Sequence, residues 1–205
     1  MTDYFALLGV KRGPKVDGDL LKTNFHRLCH ALHPDHMGTA AGGVPETAAA
    51  TFAEINAAYR CLQDPKDRLA HLIEIELGHK PQSIQHIPDE IASVGTQVMT
   101  VCRGVDTFLG VRQKDPPPMV RAQQFQDSMA WLSKCDALEA ALHPLRLQLD
   151  QELDRLGAAW NEPAGHTPGH STENEATALD RCYRLASYLA KWTSQIKERQ
   201  LTLSL

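Results

Sequence analysis

The sequence predicts an all-α protein of two parts, an N-terminal helical hairpin unit followed by a C-terminal three-helix bundle. Three observations carry that prediction. Of the 205 residues, 42% are apolar and 22% charged, the balance of a folded globular chain. Aromatic residues make up only 6%, while Ala and Leu fill much of the apolar share, which favours helix over the Val/Ile/Tyr-rich content of sheets. The apolar runs also recur in steps of three and four, the period of one helix face.

Tyr4, Phe5, Leu7 and Leu8 form a brief apolar turn closed by Gly9, whose tolerance of positive φ suits the position just past a helix end. After a Gly/Pro-containing loop, Leu21, Phe25, Leu28 and Leu32 mark one face of an amphipathic helix, with Asp17 or Gly18 placed to cap it. A second face is Phe52, Ile55, Tyr59 and Leu62, introduced by Pro45-Glu46 and stopped by Asp64-Pro65. Two such faces bury each other as an antiparallel pair. Their connection, His33 to Pro45, exceeds the roughly two to eight residues usual between paired helices, and long loops are often functional. A short helix, about Asp67 to Leu77, ends at Gly78.

His79 to Pro88 contains two prolines and no apolar period, so it reads as a linker between residues 1–78 and 89–205. The bundle opens with Ile91, Val94, Val98, Val101, Val105 and Phe108 and is broken at Lys114-Asp115-Pro116-Pro117-Pro118. Trp131, Cys135, Leu138, Leu142, Leu145, Leu149, Leu153 and Leu156 continue the period along a long helix, with Pro144 predicting a kink. Gly157 to Thr172 reads as a mobile loop, and Asn174 to Leu203 as the third helix. Three long helices joined by breakers make a bundle.

With 21 basic against 25 acidic residues and a formal net charge of −4, the chain has no electrostatic footprint for nucleic acid or for an anionic membrane. No stretch approaches the roughly 18 apolar residues of a membrane span, and Tyr4 to Leu8 is too short for a signal segment. A cytoplasmic protein is expected. Cys29, Cys61, Cys102, Cys135 and Cys182 are scattered without a CxxC pair and read as buried free thiols. His26 and His30 are four apart but lack a third metal ligand, and His166 and His170 lie in the Pro-flanked loop; no metal or cofactor is expected. No phosphate cradle, nucleophile elbow or acid–base pair marks an enzyme.

The first helix of the pair runs into His33-Pro34-Asp35. Pro34 has no N–H and pushes His33 out of the α region, so the helix stops and the flanking side chains project from a stiff turn. The tripeptide sits between Asp3-Tyr4-Phe5-x-Leu7-Leu8-Gly9-Val10 and Ile55-Asn56-x-Ala58-Tyr59-x-x-Leu62-x-Asp64-Pro65, and in that setting residues 1 to about 77 resemble a J-domain. Arg68-Leu69-Ala70-His71-Leu72 and the C-terminal Arg184-Leu185-Ala186-Ser187-Tyr188-Leu189-Ala190-Lys191-Trp192 extend the likeness to the HscB family of J-type co-chaperones.

That resemblance implies docking on a DnaK-type heat-shock ATPase, HscA in the HscB family, with stimulation of its ATP hydrolysis. It implies as well that the bundle carries IscU, the iron–sulfur cluster scaffold. Carried onto this chain, ATPase contact falls on His33, Pro34 and Asp35 and on Lys22, His26, Arg27 and His30 of the preceding helix face. Scaffold contact falls on Val94, Val98, Met99 and Tyr188, of which Met99 and Tyr188 lie off the main apolar stripes. The chain departs from the family in having His36 where Lys is usual, and in lacking carboxylates around Val94 to Met99. Two alternatives stay open: a J-domain co-chaperone for another client, and a helical adaptor that has lost ATPase coupling.

Overall fold

A computed structural model describes residues 2–31, 46–81, 87–160 and 173–204. The described residues contain seven helices and no strand: α1 (Tyr4–Leu7), α2 (Gly18–Ala31), α3 (Glu46–Gln63), α4 (Pro65–Leu77), α5 (Asp89–Val111), α6 (Pro118–Trp160) and α7 (Glu173–Ser204). They form two compact units. The first takes in residues 1–82 and 151–183, the second 83–150 and 184–205.

In the first unit the helix ends are set by local chemistry. The Asp3 carboxylate accepts from Phe5 N at 2.9 Å and Ala6 N at 3.2 Å and so starts α1; Gly9, at φ +61°, lets the chain turn away from its end. Asn24 of α2 donates to Leu8 O at 2.9 Å and Gly9 O at 3.1 Å, satisfying carbonyls that α1 leaves open. Of the two candidate caps of α2, Asp17 is the one used, accepting from Asp19 N and Leu20 N. Asp64 caps α4, whose N1 is Pro65, and Gly78 in the left-handed region ends it.

Burial then joins these helices. Phe5, Leu8, Leu21, Ile55, Ala58, Leu62, Leu69, Leu72 and Ile73 form a core in which each is at most 3% exposed, and each large side chain among them contributes about 1.5–3 kcal/mol. Phe25 of α2 stacks on Tyr59 of α3 with ring centroids 4.2 Å apart. The expected faces meet in part: Phe52, expected on the buried face of α3, is 46% exposed, one turn before the buried Ile55, and Leu32 lies outside the described residues.

α4 carries three buried polar side chains, Arg68, His71 and Glu76, and each meets the N-terminal segment. Arg68 donates to Pro14 O at 3.0 Å and Leu62 O at 2.7 Å. Glu76 receives Arg12 at 3.2 Å, and the same guanidinium binds Asp3 at 2.5 Å. His71 Nε2 accepts the backbone N–H of Tyr4 at 3.1 Å, with the Tyr4 ring stacked on it at 4.4 Å. Partial burial alone would raise the Asp3 pKa; the Arg12 hydrogen bond and the Ala6 and Phe5 N–H groups outweigh it and hold the carboxyl below its ordinary value.

The far ends of α6 and α7 complete the first unit. Trp160 is buried and lies against Gly13, where an added Cβ would stand 3.7 Å from the indole, and Lys15 pairs with Asp154. Residues 157–160, expected as loop, are therefore helix, because Leu156 and Trp160 have a surface to bury against. The remainder of the expected loop, 161–172, and the centre of the expected linker, 82–86, lie outside the described residues. Contacts thus group 151–183 with 1–82, where the sequence assigned all of 89–205 to the bundle.

The second unit packs α5, α6 to Asp150 and α7 from Arg184. Val98, Cys102, Val105, Leu138, Leu142, Leu189, Trp192 and Ile196 make its core. Arg199 of α7 donates to Asp106 at 2.7 Å and to Cys102 O at 3.4 Å on α5, and Arg146 of α6 donates to Thr193 at 2.8 Å. α6 begins well before the predicted Trp131, at Pro118, where proline loses no helical hydrogen bond. It is helical through Pro144. At Gly95 of α5 the Trp192 indole comes so close that an added Cβ would lie 2.9 Å from Cζ2 and 3.1 Å from Ile87 Cδ1.

Two stability predictions follow from these contacts. A helix-interior Gly→Ala change normally stabilises by about 1 kcal/mol. Gly110→Ala, with nothing within 4 Å, should raise the stability measured by urea unfolding, whereas Gly95→Ala should lower it despite the same propensity gain. The second concerns His71, whose pKa is pushed below its ordinary value first by burial and also by Arg12, against the opposing pull of Asp3 and Glu74. Its contribution is complete above the unfolded pKa of about 6.5 and is lost as pH falls from there toward the depressed folded value. Stability of the wild type should therefore fall more steeply between about pH 7 and pH 5 than that of His71→Gln, which cannot take up the proton; equal slopes would contradict the assignment.

Candidate functional site

α2 separates its residues cleanly. Leu21 is buried, and Phe25 and Leu28 are half-buried against the unit, while Lys22, His26, Arg27 and His30 are all exposed on the other side. Lys22, His26 and His30 follow at successive i+4 positions, so one helix edge presents them together, with Arg27 beside them. The only carboxylate in the helix is Asp19 in its first turn, and Lys22 and Arg27 form no ion pair among the described residues. Sequence reasoning passed over Leu20, 46% exposed two turns before Arg27; its lack of a partner on the apolar stripe was the available signal. The sequence-predicted His33, Pro34 and Asp35, and the neighbouring His36, lie outside the described residues.

The bundle surface is brought together in part. Met99 is 51% exposed and Val94 half-buried on α5. Tyr188 on α7 is half-buried, its ring 5.3 Å from that of Trp192, and Trp192 in turn lies on Gly95. Trp192 therefore links Tyr188 to the stretch of α5 that carries Val94 and Met99. Val98 corrects the sequence reading: it has no exposed area, because its position on the Ile91–Val105 stripe turns it into the core, so it supports this surface and cannot be part of it. The Thr96 and Thr100 hydroxyls nearby bond back to Ala92 O and Thr96 O, leaving the patch mainly apolar.

The thiols are free. Cys102, Cys135 and Cys182 are buried as expected, while Cys29 and Cys61 are only half-buried, each standing at the edge of its helix face. Burial, with Asp67 and Asp64 adding to it, pushes Cys61 up to about 11, and burial with Glu152 does the same for Cys182; protonated thiols of this kind are poor nucleophiles and poor metal ligands. Among the described residues no three His, Cys, Asp or Glu side chains converge on one point, and no helix is long and apolar enough to cross a membrane.

The DnaJ domain family matches residues 3–71. The co-chaperone protein HscB homolog of Vibrio cholerae is 35% identical over 74 residues, 36% of this chain and 43% of that one, and the Neisseria meningitidis homolog is 31% identical over 74 residues, 45% of its length. The chain thus spans less than half the length of these curated relatives. Chaperone protein DnaJ 2 of Streptomyces albus is 40% identical over 82 residues, 18% of its length. In three dimensions the likeness extends further: chaperone HscB from Vibrio cholerae matches with a TM-score of 0.55 and 21% identity over 98% of this chain and 99% of that one, and human co-chaperone HscB with 0.54 and 14% over 98% and 84%. Residues 3–71 match the DnaJ domain family, and the chain has the fold of the solved HscB co-chaperones.

Proposed function

We propose that this protein is a cytoplasmic J-type co-chaperone that stimulates ATP hydrolysis by a DnaK/HscA-type heat-shock ATPase and delivers to it a client, the IscU-type iron–sulfur scaffold. The observation that carries the reading is the DnaJ domain match over residues 3–71 together with the exposed cationic face of α2 that leads into His33-Pro34-Asp35. Lys22, His26, Arg27 and His30 supply long-range attraction to an acidic surface of the ATPase and set the register. His33 and Asp35 then make the directional contacts that favour the hydrolytic conformation. The chemistry belongs to the ATPase; this chain contributes differential binding to one of its states.

The client is held by Met99, Val94 and Tyr188 over the Trp192 platform, an aromatic and aliphatic set of the kind that dominates protein interfaces. Residues 1–78 carry the ATPase-directed function and 89–205 the client-directed one, so one molecule raises the effective concentration of client at the ATPase. A second reading, a J-type co-chaperone for a different client, is favoured by one feature: no Asp or Glu occurs between Ile91 and Val105, leaving this surface without acidic selectivity.

Two measurements test the proposal. His33→Gln and Asp35→Asn should each abolish stimulation of the ATPase in single-turnover assays while leaving the melting temperature within a few degrees; stimulation retained by both would remove the J-domain mechanism. Calorimetric titration of the full chain with IscU-type scaffold should show binding that Met99→Asp and Tyr188→Ala each weaken by about tenfold or more. If wild type binds no scaffold while ATPase stimulation persists, the client is another protein.

A further inference from the structure

The second unit has a groove that neither proposed surface uses. It lies where the last turn of α5, the first turns of α6 and the last turn of α7 meet, with an open volume of about 770 Å³, within the roughly 300–1,000 Å³ typical of binding clefts. Leu109, Phe125, Met129, Leu132 and Leu203 line it. Phe125 is 67% exposed, and Val111, Met119, Met129 and Leu201 on the same helix ends are also more than half exposed. Scattered apolar residues are normal on a surface; Phe125 and Met129, exposed on the groove wall itself beside Leu109, Leu132 and Leu203, mark a binding place.

Its charge names the chemistry of the occupant. Among the described residues Arg112, Lys114 and Arg121 line the groove and no carboxylate does. Arg121 is paired with Asp115 at 3.3 Å, whereas Arg112 and Lys114 form no ion pair among the described residues. On a chain of net charge −4, this concentration of cations runs against the overall sign. Two copies meeting groove to groove would set those cations against each other, which disfavours self-association through a twofold contact.

Ser128 adds an independent sign. It lines the groove, is 4% exposed, and its Oγ has no hydrogen-bond partner among the described residues. Ser187 of α7 shares this state away from the groove, while the nearer Thr107, Thr202 and Ser204 bond back to a carbonyl four residues earlier. A buried hydroxyl left open at a groove wall is completed by a polar group from outside.

From this we propose that the α5–α6–α7 groove binds an acidic amphipathic helix of a partner protein, its apolar side chains seated on Phe125 and Met129, its carboxylates on Arg112 and Lys114, and a polar group on Ser128 Oγ. Apolar anchors at helical spacing in an apolar groove, with charge setting orientation, is an established mode of helix recognition. This site is separate from the residues assigned to ATPase and client, so it adds a third partner surface to the chain.

The experiment titrates the full chain by calorimetry with two synthetic helical peptides that share one Leu/Phe pattern, one with Glu and the other with Lys at the remaining positions. The Glu peptide should bind and the Lys peptide should not, with affinity falling as salt rises. Phe125→Ala/Met129→Ala and Arg112→Glu/Lys114→Glu should each weaken the Glu peptide at least about tenfold while circular dichroism stays unchanged. No binding of the Glu peptide at millimolar concentration, equal binding of both peptides, or charge reversal without effect would overturn the proposal. Concentration-dependent dimerisation in sedimentation, removed by Phe125→Ala/Met129→Ala, would overturn it too, since a second copy would then fill the groove.

Discussion

The contact of α4 with the N-terminal segment governs the first unit. Arg12, held between Asp3 and Glu76, and Arg68, bonded to Pro14 O, fix the chain from Asp3 to Pro14 against one helix. α1 and the entry to α2 belong to that segment, so the direction in which α2 leaves is set there. Glu76 has no side-chain exposure, and a buried charge is tolerable only with its partner in place. The interaction thus supplies specificity of placement more than net stability, and what it places is the cationic face of α2.

From that constraint the functional geometry follows in order. The buried Leu21 and the half-buried Phe25 and Leu28 take the inner side of α2, so Lys22, His26, Arg27 and His30 lie on its exposed side. In the second unit the same logic runs through a close approach: Gly95 admits the Trp192 indole, and Tyr188 rests beside it. In each unit a packed interior carries, on its outer side, groups that are not consumed by the fold.

What the sequence disclosed, and what it did not, divides along the range of the interaction. The cap at Asp17 and the stops at Gly9 and Gly78 depend on neighbours within a few residues, and the apolar period depends on a helix repeating itself; both were legible, whereas the caps at Asp3 and Asp64 were not read as caps. So were the exposed cations of α2. Arg12 with Glu76 and Arg68 with Pro14 were not, because pairs more than fifty residues apart leave no local pattern. Residues 157–160 were misjudged for the same reason: Gly157 reads as a breaker until Trp160 is seen against Gly13. Val98 was misplaced because exposure was argued from family likeness while the residue itself sat on the buried stripe.

The central proposal is that α2 and the His33-Pro34-Asp35 sequence after it act on an ATPase through charge and direct contact. Single-turnover hydrolysis of ATP prebound to a DnaK-type ATPase, followed with increasing amounts of the full-length chain at two salt concentrations, tests it most directly. The account predicts saturable acceleration whose half-maximal concentration rises with salt, as a cationic docking face requires. No acceleration at any concentration of the chain, or acceleration indifferent to salt, would contradict it.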